Sequence, residues 1–272
     1  MSDPENELFS LLSRCEVIDL SVPVAEDLPC FWPGHQPFQH KTSNWFTAEH
    51  RPSGNVRSRG PYTTRWLALD EHTGTHFDAP SHFIPPPGSG LPDAGERGAI
   101  TAAAVPPAQL MGPAAVLDVS GVSGSEPGTS PLVGPDSLLA WESAHGELRT
   151  GDVVLLRTGW DSRYRRGSDG DGYLHDVVVT GRRPGWPAPA AETIELLLAR
   201  GVRCTGTDAP SMGAAHDPRP AHVAGLGGGM VFVEALTGLA ALPARGAWFC
   251  FLPLRLEDGS GAPGRAVALR PA

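Results

Sequence analysis

The chain has one lysine, Lys41, among its 21 basic residues. Its net charge is −9 and its isoelectric point is near 5.5. Nothing gathers the arginines into a basic face, so nucleic acid is excluded as the natural partner. Cysteine is also scarce. Cys15, Cys30, Cys204 and Cys250 are scattered, with no C-x-x-C spacing. We therefore expect no disulfides and a reducing cytoplasm. Cys204 and Cys250 lie in apolar runs and read as buried thiols. No apolar run reaches the ~18 residues of a membrane span. The acidic start over residues 1–7 is unlike a signal peptide. No internal repeat or clean linker divides the 272 residues, so the chain reads as a single domain over residues 1–272. A hydrophobic content of 40% suffices for a sizeable core.

One stretch concentrates chemistry. It runs His72-Thr73-Gly74-Thr75-His76-Phe77-Asp78-Ala79-Pro80-Ser81-His82. Its three histidines and one aspartate all sit at even positions. In a strand, alternate side chains share a face. Gly74 and Pro80 disfavour the helix that would also pair them. The spacing predicts a strand that aims His72, His76 and Asp78 one way and breaks near Pro80 into a loop carrying His82. Neutral imidazole and carboxylate suit zinc, manganese or iron. Gly74 allows close backbone approach to a ligand.

The rest reads mostly as strands with a few helices between. Residues 5–14 predict a short helix and residues 16–22 a first strand. Phe31-Trp32-Pro33-Gly34 is a turn, in which Trp32 is either a loop-anchoring aromatic or a pocket wall. Residues 35–63 look irregular, and His35, His40 and His50 read as surface residues. A strand over 64–70 leads into the motif. The Pro- and Gly-rich loop over 85–98 is placed to cover the site. Further strands are expected at 114–119, 153–158, 202–207, 230–236 and 247–254, and a hairpin turns at Asp258-Gly259. Helices are expected from Pro135 and over 190–200, the latter closed by Gly201.

The motif resembles the signature H-x-G-T-H-x-D-x-P-x-H of the cyclase-like metal hydrolases. That family includes bacterial kynurenine formamidases, isatin hydrolases and polyketide cyclases. The resemblance implies a swivelling β/β/α domain of the α/β class, strand-rich with few helices. It implies a divalent metal, Zn2+ or Mn2+, as one or two ions. His72, His76 and Asp78 would be ligands, with Asp78 and Glu234 bridging two ions. A second histidine twelve residues before Glu234 is His222; His216 competes for that place. Without the resemblance, Glu234 reads equally as an edge-strand acid facing solvent. Ala235 stands where the family has Asn, and Gly227-Gly228-Gly229 replaces a bulky aliphatic run and hints at a wide pocket. By carry-over, Trp32 lines the substrate pocket.

The activity so implied is hydrolysis of a C–N bond in an aryl formamide or cyclic amide. His82 is read as the acid–base group; its other reading is support of Asp78 or a solvent-facing loop. Glu71 could orient a ligand imidazole. The alternative activity is metal-dependent cyclisation in natural-product synthesis. A third reading, a non-catalytic binder of small molecules, sits badly with an intact motif. The resemblance further implies a homodimer or homotetramer in which the segment around Trp32 reaches a neighbour's pocket.

Overall fold

A computed structural model describes residues 4–46, 49–50, 56–58 and 60–271. The strands in chain order are β1 (Cys15–Asp19), β2 (Gln39–Asn44), β3 (Glu49–His50), β4 (Val56–Ser58), β5 (Thr64–Ala68), β6 (His76–Asp78) and β7 (Met111–Asp118). They continue with β8 (Leu132–Val133), β9 (Val153–Arg157), β10 (Ala188–Pro189), β11 (Cys204–Thr207), β12 (Val231–Glu234), β13 (Arg245–Pro253) and β14 (Gly261–Pro271). The α-helices are α1 (Pro4–Leu12), α2 (Pro135–His145), α3 (Ala191–Ala199) and α4 (Arg219–Gly227). Short 3-10 turns and one π-turn fill much of the remainder.

The main sheet runs β1-β14-β13-β7-β9-β11-β12-β6, and β6 pairs back onto β14. Seven strands therefore close into a barrel, with β1 attached outside on β14. The β7–β9–β11–β12 arc is parallel and the other pairings are antiparallel. Alternation along the strands separates two cores. Val116, Val153, Leu155, Val231, Val233 and Phe249 pack inside the barrel. Leu117, Val154, Leu156 and Phe232 point outward, against Leu138, Ile194, Leu197 and Leu226 of the three helices. Buried on both faces, β9 is a continuous apolar run, as a parallel strand between two layers must be.

Strand-rich α/β architecture is what the sequence led us to expect; closure through β14 and β6 is additional. Four local expectations change. The strand at the motif covers only residues 76–78, because Gly74 takes φ 63° and turns the chain before it. His72 thus sits in the preceding turn. Residues 35–63 contain β2, which pairs with β5, and the β3–β4 ribbon. His222 rides on α4, where Pro220 and the glycines had given no helical signal. Cys250 is half-buried, whereas Cys30 and Cys204 are buried; all four thiols are free. The side chain of His50 lies outside the described residues.

Candidate metal-binding active site

The site lies on the outer wall of the barrel, where β6 and β12 run antiparallel. Phe77 and Val233 oppose each other and point into the barrel. By the same alternation His76 and Asp78 point outward, and His76 stands opposite Glu234. Helix α4 brings His222 over these groups, and the turn before β6 brings His72 alongside. Among the described residues, two sets can each offer ligand atoms lying within 4.8 Å of one another: His72, Asp78 and His82, and His76, Asp78 and Glu234. Asp78 belongs to both.

Three imidazoles are held the same way. His76 Nδ1 donates to the Gly74 carbonyl at 2.8 Å. His222 Nδ1 donates to the Pro218 carbonyl, one turn back, at 2.7 Å. His72 Nδ1 faces Asp70 Oδ1 at 3.3 Å. Each ring therefore turns Nε2 to the centre. His72 Nε2 and His222 Nε2 lie 3.4 Å from Asp78 oxygens, and His76 Nε2 lies 3.6 Å away. Glu234 sits 3.5 Å from His76 Nε2 and 3.4 Å from His222 Nε2. Charge-assisted hydrogen bonds are shorter, about 2.7–2.9 Å. The edge of a tetrahedron with metal–ligand bonds of about 2.0–2.1 Å is about 3.3–3.4 Å. Both oxygens of Asp78 and Nε2 of His72 are buried with no hydrogen-bond partner. Buried carboxylates are rarely left so. Donor type, spacing and unsatisfied atoms all fit a divalent cation.

Electrostatics agree. Burial works against the ionised form of Asp78, but His82, His222, His72 and His76 around it hold its carboxyl well below the usual range. Burial likewise lowers the proton affinity of His222, yet Asp78 and Glu234 overcome it and lift its pKa to about 10. His76 shifts up for the same reason. His82 goes the other way, pushed down to about 4, chiefly by burial. His82 packs its ring 4.1 Å from that of His72, and Phe83 stacks on His222 at 4.1 Å.

A cavity of about 210 Å³ opens over these groups. Its floor includes His72, His76, His82, His222 and Glu234, and its walls include Trp32, Phe83, Tyr164 and Tyr173. Trp32 meets Trp186 edge-on at 6.2 Å. Trp32 thus lines the cavity of its own chain. The loop over 85–98 does not line the cavity; Asp93 pairs instead with Arg219 at the start of α4. Gly227-Gly228-Gly229 also lies away from it. Gly228 packs under Leu198 and Gly229 against Arg97. His216 accepts a hydrogen bond from the Ser130 N–H, whereas it is His222 whose Nε2 lies 3.4 Å from both Asp78 and Glu234.

Other groups had no legible role in the sequence. His35 is a cavity residue and pairs with Asp70 at 3.4 Å. Asp70, not Glu71, faces the His72 imidazole; Glu71 is turned to Ser260. A carboxylate two residues before His72 is a signal that could have been read. Asp208 accepts from Thr158 and Gly159, while Ser211 and the Met212 N–H both approach Glu234. Ala235, next to Glu234, takes φ 54°, a left-handed conformation that Asn adopts more readily than Ala.

Comparison with known proteins places the chain among its relatives. Residues 18–214 match the Cyclase family, described as "Putative cyclase". An isatin hydrolase of Roseibium aggregatum is 37% identical over 220 residues, covering 79% of this chain and 78% of that protein. A kynurenine formamidase of Erythrobacter litoralis is 30% identical over 265 residues, covering 96% of each. The crystal structure of an isatin hydrolase bound to the product analogue thioisatinate superposes with a TM-score of 0.81 at 28% identity, covering 100% of both chains.

Proposed function

Because this chain belongs to the Cyclase family and is homologous to isatin hydrolase and kynurenine formamidase, we propose that it is a metal-dependent hydrolase cleaving a C–N bond of an aryl formamide or cyclic amide. One observation carries the reading. Three imidazoles present Nε2 to two buried carboxylates at the floor of an aromatic cavity. His72, His76, Asp78, His222 and Glu234 would hold one or two ions, zinc or manganese. When bound, such an ion lowers the pKa of water to near ~7 and polarises a carbonyl.

The chain's own residues do the rest. His82 lines the same cavity and starts neutral, because burial depresses its pKa to about 4. It takes the proton of the attacking water and delivers it to the departing nitrogen. Trp32 and Phe83 offer apolar ring faces that fit a flat aromatic substrate. No specific observation favours cyclisation. The glycines that argued for an unusually wide pocket do not line it.

A homodimer or homotetramer is supported by exposed aromatics around β5, Trp66 and Tyr62 among them; light scattering that gives a monomer removes this part. No helix of the described residues is long and apolar enough to cross a membrane. Four free thiols support a reducing cytoplasm. The activity is tested by loading the protein with zinc or manganese and following isatin and N-formylkynurenine optically. Ring opening or deformylation is the expected result. No turnover of either, with metal bound, removes these two substrates and turns the search to cyclisation.

A further inference from the structure

His82 has a second set of neighbours that the reading above does not use. Its Nδ1 faces Ser260 Oγ at 3.4 Å, the outer reach of a hydrogen bond. Ser260 Oγ in turn lies 2.5 Å from Glu71 Oε1. The Ser260 N–H also points at that carboxylate, 3.1 Å from each oxygen. Two oxygens 2.5 Å apart need a proton between them. A carboxylate only accepts, so the Ser260 hydroxyl donates to Glu71. A hydroxyl has one hydrogen. Towards His82, Ser260 Oγ can therefore only accept, and the imidazole must carry its proton on Nδ1.

The support is stiff. The Ser260 carbonyl accepts from the Ala79 N–H at 2.8 Å, and the Gly259 carbonyl from the Ala102 N–H at 2.7 Å. Gly261 then pairs with Asp78 in the barrel. The turn fits only because it is built of glycine on both sides. A Cβ on Gly259 would meet Glu71 Oε2 at 2.9 Å, and one on Gly261 would meet His72 Nε2 at 2.7 Å. Ser260 is thus pressed between Glu71 and His82 by backbone bonds on three sides.

We propose that Glu71 and Ser260 are positioning residues that fix the ring and tautomer of His82, holding hydrogen on Nδ1 so that Nε2 is the atom that exchanges protons in the cavity. The inference rests on the acid–base role given to His82 above. The long Ser260–His82 contact is expected to shorten when the site is filled, as catalytic hydrogen bonds commonly do.

The test reads the tautomer directly and needs no substrate. Zinc-loaded protein labelled with 15N-histidine is examined by long-range 1H–15N correlation, with His82→Ala identifying the His82 signals. Wild type should show a protonated Nδ1. Ser260→Ala should shift the His82 ring nitrogens to a mixture of tautomers and lower kcat about 10- to 100-fold, with KM and zinc content little changed. Glu71→Gln, which keeps the size and removes the charge, should move the same signals, and Ser260→Thr should restore them. A wild-type His82 protonated on Nε2 overturns the proposal. So does a Ser260→Ala or Glu71→Gln protein whose His82 shifts coincide with wild type. Absence of turnover by wild type, with the expected tautomer present, refutes the assigned reaction and leaves the positioning intact.

Discussion

Replacing Asp78 with Asn removes one charge and almost no volume. The side chain is only 1% exposed, and neither oxygen accepts a hydrogen bond. Its nearest groups are Nε2 atoms of His72 and His222 at 3.4 Å and of His76 at 3.6 Å. At an effective dielectric constant of about 20, unit charges about 3.4 Å apart interact by about 5 kcal/mol. A divalent ion doubles the charge on its side. The Asn carbonyl returns part of the loss as a dipole. A net cost of about 4 kcal/mol or more follows, or about a 1,000-fold weaker Kd for zinc. The assay is titration of metal-stripped protein against a chelator of known affinity, with bound metal counted by mass spectrometry. Unfolding of the metal-free variant is recorded in parallel, so that affinities are compared between folded proteins. An Asp78→Asn protein that binds zinc within tenfold of wild type would falsify the assignment of Asp78 as a ligand.

The remaining tests probe its surroundings. Asp70→Asn should weaken metal binding about 10- to 100-fold by loosening His72; equal affinity in calorimetry removes Asp70 from that role. His82→Ala should keep its metal and lose about 100- to 10,000-fold in kcat, and a single-turnover rate near wild type refutes the acid–base assignment. The metal-free protein should lose stability as pH rises. His222 binds its proton more tightly when folded, with a pKa of about 10 against the ordinary histidine value of 6.5. Its stabilisation is complete below about pH 6.5 and disappears towards pH 10. A Tm in chelator that stays level or climbs over that window contradicts this. Tyr173 is buried, its hydroxyl has no partner, and it lines the cavity. Tyr173→Phe should therefore raise the Tm of the empty protein, by an amount equivalent to about 1 kcal/mol or more; a lowered Tm shows that the hydroxyl is satisfied.

What could be read from the chain follows the range of each signal. Alternation over His76, Phe77 and Asp78 is local, and it put the two polar side chains on one face, as the barrel wall does. It failed at His72, because the left-handed turn at Gly74 breaks the alternation while still delivering the ring. The strands at β7, β9, β11, β12 and β13 were legible as apolar runs of strand length. Their closure was not, since it depends on Gly261 and Ala262 meeting Asp78 and Phe77 across the whole chain. Helix α4 was hidden by Pro220, Gly225 and Gly227, residues with poor helical propensity. Packing overrides them. A Cβ at Gly225 would meet the Phe232 ring at 2.3 Å, so glycine there lets α4 sit close to the barrel and lowers His222 onto the carboxylates. Ser260 carried no signal, being 178 residues from its imidazole partner.

The division of labour within the site follows from the same geometry. The proposed ligands come from a barrel strand pair, one helix and one tight turn, each tied by a hydrogen bond to a backbone carbonyl: Thr75 Oγ1 to that of Ala235, the Gly74 N–H to that of Cys30, His222 Nδ1 to that of Pro218. Those elements allow little adjustment, which suits a cation that needs fixed distances. Much of the cavity wall comes from residues 29–35 and 164–174, which form loops and short turns, while Phe83, stacked on His222, joins that wall to the proposed ligands. Loops accept substitution without disturbing the barrel. Apart from Phe83, the proposed ligands and the cavity walls are thereby held on separate parts of the chain. Changes at Trp32 or Tyr164 should alter which ring is accepted and leave metal affinity alone, whereas changes at Asp70, Gly225 or Gly261 should alter the metal site with the cavity walls untouched.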